Sequence, residues 1–288
     1  MKRHSSVPSY LLQVFPRGGP LPEGIPVELC PPGGELIKDE PGTLIWRELL
    51  ADGRQAVVKL YRRGLAVWCR SLTTGFRVQH EFNGLSQLEK LGIPCSVPLF
   101  WGHGHFGWYG WGEVLVTEWV ANSQPLRDLL ATRSEVSRFL DLSPLFTDMA
   151  RMHRVGLHHG MLRARNILVK NYPEKPVFVF IDMPRSHHFL RDIRGTRMAR
   201  YDLLSLCQGL LPYFPEDQVL LWLSAYGIPE SEKMDRLARL KRFRSTAFLR
   251  RVLGAEFNVR IAMAKLFAFY PRNAPESQQQ KGSRTSYE

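Results

Sequence analysis

No stretch of the sequence approaches the roughly eighteen uncharged apolar residues of a membrane-spanning helix, and the longest apolar run near the start, YLLQVF at 10–15, is too short for a signal peptide. A cytoplasmic address is expected. Cysteine is scarce: Cys30, Cys69, Cys95 and Cys207 stand apart with no C-x-x-C pair, which argues against a disulfide framework or zinc site and fits reduced, singly buried thiols. No internal repeat is found, and no recognised base-reading module accompanies the basic charge, so nucleic acid is not an expected partner. With 288 residues, 44% of them hydrophobic, the chain can bury a large core in one bilobed domain or two small ones, which excludes disorder throughout.

What the sequence has in excess is positive charge. Of the net +12, residues 233–251, KMDRLARLKRFRSTAFLRR, supply eight positive charges against one negative. Leu237, Leu240, Phe243 and Ala247 recur there at helical spacing, predicting an amphipathic helix with a cationic outer face. Such a face is either simply solvated or docks to something anionic: a phosphorylated glycolipid at a membrane surface, an acidic protein or, least well, nucleic acid. Residues 1–32 read as an N-terminal extension and 271–288 as a disordered polar tail. Between them, 33–120 reads as strands with one helix, and 121–270 as mostly helix with a hairpin near 167–181, an α+β order.

Two constellations carry chemistry. TLIWREL at 43–49 and QAVVKLY at 55–61 flank the turn LADGR, a hairpin that sets Lys59 inside an apolar strand. A helix fits 77–91, where Leu85 and Leu88 follow Glu81 by four and seven residues, so the carboxylate shares their inward stripe. A charge on a buried stripe needs a partner, and Lys59 is the candidate, unless Glu81 only skirts the edge. Further on, Asn166 precedes ILV, the turn KNYPEKP follows, and VFVFI leads into Asp182; the hairpin brings an amide oxygen and a carboxylate together at its open end. Both are hard donors that suit Mg²⁺ on nucleotide phosphates, although Asn and Asp are also ordinary strand terminators.

Lys59, Glu81, Asn166 and Asp182 follow the order and loose spacing of the eukaryotic-type protein-kinase fold. HHGMLRARNILVK at 158–170 resembles the kinase pattern H-x-D-L-[KR]-x-x-N at His159, Leu162, Arg163 and Asn166. A narrower resemblance covers 43–250: VVKLYRRGLAVW, RVQHEFNGLSQLEKLGIP, HHGMLRARNILV, FVFIDMPRS and RYDLLSL resemble the bacterial lipopolysaccharide core kinases, which phosphorylate heptose or octulosonic acid (Kdo) sugars. Asp182, Met183, Pro184 and Arg185 are similar to that family's D-[LF]-x-R. The resemblance implies a bilobed kinase-like fold, a small mainly-β N-lobe and a larger mainly-α C-lobe, with ATP and Mg²⁺ as cofactors and lipopolysaccharide core or another anionic glycolipid as acceptor. It implies that Lys59 holds the α/β-phosphates, Glu81 orients Lys59, Asn166 and Asp182 carry the metal, Arg163 approaches the γ-phosphate, and Glu118 to Val120 form the hinge beside the nucleotide.

Two places depart from the pattern. Met161 stands where the pattern has aspartate, and a thioether cannot accept the proton that a general base removes for a gain of about 10² to 10⁴ in rate. Phosphoryl transfer rests mainly on positioning and charge stabilisation, so turnover is weakened rather than forbidden. His158 or His159 is the conceivable substitute base, though the family's matching histidine is a scaffold residue. The phosphate loop must lie between strands near 35–38 and 43–49, where KDEPG offers Asp39, Glu40 and only Gly42; Gly33 and Gly34 are further candidates. GHGHFG at 102–107 matches G-x-G-x-x-G but precedes a strand pattern, and is read as an aromatic hairpin turn. The pairs His158/His159 and His187/His188 lack the spacing of a metal site. Function divides between an ATP-dependent core sugar kinase weakened at Met161 and a pseudokinase that binds nucleotide or glycolipid and regulates envelope biogenesis. A protein Ser/Thr kinase fits less well, since no A-P-E close is present.

Overall fold

Alternation with a period of two builds the first half. In a computed structural model, which describes residues 34–50, 52–106, 110–132 and 139–245, β1 (Glu35–Glu40), β2 (Thr43–Leu49) and β3 (Gln55–Arg62) form an antiparallel meander. The chain continues through α1 (Leu65–Thr74) and α2 (Arg77–Lys90) into β4 (Pro98–His105) and β5 (Trp111–Glu118), completing a five-stranded sheet in the order β1-β2-β3-β5-β4. Leu44, Trp46, Ala56, Val58 and Leu60 bury one face of it together with Phe100, Val114 and Val116. Lys59 and Tyr61 point to the other face, which Trp101 and Leu115 share with Phe76 and Val78.

The second half is helical. After β6 (Ser123–Pro125) come α3 (Leu126–Thr132), α4 (Ser143–Arg154), β7 (Leu157–His158), a single 3₁₀ turn (Ala164–Asn166), β8 (Ile167–Lys170), β9 (Val177–Phe180) and β10 (His187–His188), then α5 (Arg197–Leu210), α6 (Glu216–Tyr226) and α7 (Glu230–Ser245). Its core is centred on Phe146 and Trp222, stacked with centroids 5.3 Å apart, and it takes in Leu85 and Leu88 of α2. One helix therefore serves two cores, with its other inward residues on the sheet. After α2 the chain crosses to β9: Phe180 N–H donates to Pro94 O at 2.9 Å and Ser96 N–H to Phe180 O at 3.1 Å. Among the described residues no helix is long and apolar enough to cross a membrane.

The structure differs from the sequence reading in several places. Helix α1 is a second helix in the sheet-rich half, because Gly64 ends β3's run and the apolar LAVW that follows winds rather than extends. GHGH lies inside β4, and the turn closes later, where Phe106 N–H donates to Gly110 O. Cys207 is buried, but Cys95 is only half-buried and Cys69 is exposed. Helix α7 forms over 230–245 with Leu237 and Leu240 buried; Ala247 and the rest of the predicted basic helix lie outside the described residues, as do Cys30, Gly33, the extension 1–32 and the tail 271–288.

Candidate active site

Lys59 leaves β3 on the side of the sheet that α2 covers, and Glu81 leaves α2 toward it. The Lys59 Nζ is 2.7 Å from Glu81 Oε1 and 2.7 Å from Asp182 Oδ1, so one ammonium joins carboxylates from both halves of the fold. Glu81 is fully buried, not at the edge of its stripe, and Lys59 is only 8% exposed. Burial opposes the Lys59 charge, but Asp182 and Glu81 outweigh it and hold its pKa well above the ordinary lysine value. The same ammonium pulls Asp182 down to about 2, whereas burial, resisted by Lys59, pushes Glu81 up. Asp182 also sits in left-handed backbone at φ 62, a conformation costing an L-residue about 1–2 kcal/mol. Such a cost persists where surrounding contacts fix the geometry.

Asn166 ends the 3₁₀ turn, and its Nδ2 donates to Met161 O at 2.7 Å, leaving the amide oxygen for another partner. Its own carbonyl accepts Ile181 N–H at 3.1 Å, which sets Asn166 beside the residue before Asp182. The Asp182 side chain is 38% exposed and its carboxylate is ionised at neutral pH. An amide oxygen and an ionised, reachable carboxylate are hard donors of the kind a Mg²⁺ ion takes; Asn166 and Asp182 would hold it, and it would neutralise phosphate charge there. Arg163, at the start of the same turn, is exposed. Glu118 ends β5 half-buried, and Val120 follows with its carbonyl accepting Ser123 Oγ at 2.6 Å.

The loop that carries Met161 is fastened from below. His159 and Gly160 N–H groups donate to Asp202 Oδ2 and Oδ1 at 2.8 and 3.0 Å, from α5. His158 Nε2 lies 3.5 Å from the same carboxylate and His153 Nε2 3.3 Å, with His153 Nδ1 2.7 Å from the Tyr226 hydroxyl. Burial lowers His158 to about 4 and lowers His159 as well, despite Asp202. His159 is fully enclosed, and its Nδ1 accepts Met161 N–H at 3.3 Å. It braces the loop from the inside. Met161 itself is half-buried.

Three contributors escaped the sequence reading. Asp202 stands in RYDLLSL, and an acid beside the apolar stripe of LLSLC was its signal. Glu113 is buried in β5, accepts Val78 N–H at the first turn of α2 at 3.0 Å and pairs with Arg63 at 3.2 Å. A carboxylate at a helix N-terminus complements the free N–H groups and the dipole, so Glu113 fixes the start of the helix that presents Glu81. Its signal was an acid inside an apolar strand, the same anomaly that marks Lys59. Arg77 lies over the Tyr61 ring at 4.4 Å and adds to the positive field on Asp182.

The phosphate-loop expectation changes. β1 and β2 pair directly from Glu40 with Thr43, so Pro41 and Gly42 are a two-residue turn with Gly42 at φ 88. Asp39 is paired with Arg62 at 2.9 Å and Glu40 with Lys38 at 2.9 Å, so these acids have counter-charges beside them. A Cβ on Gly34 would collide with the Arg47 carbonyl of β2, so that glycine serves strand packing.

A strand lysine held by a helix glutamate under a five-stranded sheet, facing an asparagine and an aspartate from a hairpin of the helical half, defines a protein-kinase-like fold. The family model described as lipopolysaccharide kinase (Kdo/WaaP) family matches residues 51–226, more than half of the chain, and the chain belongs to that family. Among solved structures it is similar to one described as WaaP in complex with acyl carrier protein, at 18% identity and a TM-score of 0.55, covering 74% of this chain and 88% of that one; the likeness is one of fold. No curated protein matches the chain.

Proposed function

We propose that the protein is a Mg-ATP-binding, lipopolysaccharide-core-sugar kinase whose phosphotransfer is slowed by Met161. The observation that carries this reading is the Lys59 ammonium, 2.7 Å from both Glu81 and Asp182, with Asn166 hydrogen-bonded through its carbonyl to Ile181, the residue before Asp182. In this reading Lys59 grips the α/β-phosphates, Glu81 keeps it aimed, and Asn166 with Asp182 holds the metal that screens the transferred phosphoryl group. Arg163 adds positive charge near the γ-phosphate, Glu118 to Val120 border the nucleotide base, and the acceptor is a sugar hydroxyl of an anionic glycolipid. Lacking a carboxylate at 161, the site leaves the acceptor proton to solvent, and His159 does not replace it. The two lobes are taken as 33–120 and 121–270, working at the inner face of the membrane. The solved neighbour is in complex with acyl carrier protein, and the reading extends to an analogous acidic carrier-protein partner for this chain. A pseudokinase reading shares every binding residue and differs only in turnover.

The test is a pair of measurements. Thermal denaturation with increasing Mg-ATP is expected to show a stabilising shift in the wild type and none in Asp182→Asn; the absence of any shift in the wild type removes the nucleotide claim. Transfer of labelled phosphate to core oligosaccharide is expected to be slow in the wild type. Brisk wild-type transfer, unaltered by Met161→Asp, would show that the loop has been misassigned. Turnover absent from both proteins, with binding intact, would favour the pseudokinase.

A further inference from the structure

The cationic surface predicted from sequence was the helix 233–251, yet over its described part much of that charge is neutralised: Arg236 pairs with Glu232, Arg239 with Asp235, Lys233 with Glu230 and Lys241 with Glu216. A different segment is more one-sided. Residues 185–200 carry five arginines against a single acid, Asp192, and Asp192 is taken by Arg194 at 2.6 Å. At the tip of this segment Leu190 is 98% exposed. Alone, an exposed leucine means little. Here Val155, also exposed, lies at the neighbouring chain reversal, next to the exposed Arg154 at the end of α4, while Arg151 one turn earlier is paired with Asp148 at 2.8 Å.

The ledge is rigidly seated and close to the catalytic loop. β10 pairs with β7, Phe189 N–H donates to Gly156 O at 2.8 Å, and Ile193 N–H to His153 O at 3.0 Å. Gly156 leaves no room for a side chain against the Phe189 carbonyl, and a Cβ on Gly160 would come within 2.5 Å of Arg185 O. Segment 185–193 therefore lies along residues 153–160, whose next residue is Met161.

We propose that this ledge, with Leu190 and Arg191 exposed at its tip and Arg154 and Arg185 exposed on the paired segments, seats the protein on the anionic phosphate headgroups of a lipid leaflet, with Leu190 entering the headgroup layer. The proposal rests on the reading that the acceptor is a lipid-linked sugar, and places that acceptor's leaflet beside Met161 and Arg163. A lipid surface suits the ledge better than a protein does, because guanidinium charge and one inserted apolar side chain add up on a membrane. A stable protein interface needs about 800 Å² on each partner, which calls for more apolar surface than one leucine tip provides.

The experiment is co-sedimentation of the full chain with phosphatidylcholine vesicles, with and without phosphatidylglycerol. The wild type is expected to partition onto the anionic vesicles only, less so at high salt. Leu190→Ser and Arg191→Glu are each expected to weaken partition about fivefold, and together more than tenfold, with unchanged thermal midpoints and Mg-ATP response. Equal partition of wild type and variants, equal binding to neutral vesicles, or a loss confined to Arg250→Glu with Arg251→Glu would each overturn the proposal. So would a wild type that ignores vesicles but binds acyl carrier protein through these two residues. Partition needs neither nucleotide nor turnover, so failed phosphotransfer with intact vesicle binding sinks the kinase reading alone.

Discussion

At the scale of single residues, the proposed function turns on Met161 for rate and on Lys59 for the integrity of the site. Met161 is half-buried on a loop fixed by Asp202 and Asn166, so an aspartate placed there inherits an ordered backbone. Met161→Asp is expected to raise phosphate transfer by about 10² to 10⁴, measured as product formed per unit time at saturating ATP. Lys59→Met makes the opposite point. It leaves Glu81, fully buried, without its ion-pair partner, and breaking a buried pair in this way costs about 3–5 kcal/mol. Urea unfolding is expected to show that loss for Lys59→Met and a smaller one for Glu81→Gln, because an amide keeps the shape and needs no counter-ion. Equal losses would mean that Glu81 is not ionised in the folded protein.

At the scale of elements, what was legible had a period. β2, β3 and the β8–β9 hairpin showed alternation around polar turns, and α2 showed Glu81, Leu85 and Leu88 on one stripe, so the partners Lys59 and Glu81 and the pair Asn166 and Asp182 were all found in sequence. What was not legible depended on contacts between elements. The turn at Pro41 and Gly42 is short because β1 and β2 pair to their ends, and the capping of α2 by Glu113 comes from a strand 35 residues away. Gly84 is another such case. On an exposed helix Gly→Ala stabilises by about 1 kcal/mol. In α2 the new Cβ would meet Ser186 Oγ at 2.5 Å and Ser186 Cβ at 2.8 Å, just after the Asp182 segment, where Ser186 Oγ also donates to His80 O at 2.5 Å. Gly84→Ala is therefore expected to lower the thermal midpoint and weaken the Mg-ATP shift, because α2 must withdraw and take Glu81 with it. Gly84→Ala with Ser186→Gly is expected to recover both.

At the scale of the whole molecule, the two halves are joined by charge at Lys59 and the catalytic loop is anchored to the helical core by Asp202, and only the first of these joints was visible in sequence. Asp202 reaches residues 43 positions away through backbone N–H groups, which no side-chain pattern records. The same anchor makes stability depend on pH with a definite sign. His158 is fully buried and its pKa falls from 6.5 to about 4, so between those values the unfolded chain binds a proton that the folded one does not. Stability then falls as pH falls through that window, by about 3 kcal/mol over its full width for this one group, with the stabilisation fully present only above pH 6.5. His159, also lowered by burial, acts in the same direction. Glu81, raised by burial, acts in the opposite one over its own window, so the informative quantity is the difference between two proteins rather than the wild-type slope. His158→Gln has no ring to protonate, and its thermal midpoint is expected to drop less between pH 7 and pH 5 than that of the wild type. Parallel pH profiles would mean that the His158 ring takes up its proton as readily in the folded protein as in the unfolded chain, in which case the Asp202 carboxylate offsets the burial of the ring and the anchor beneath the loop does not set the pH dependence.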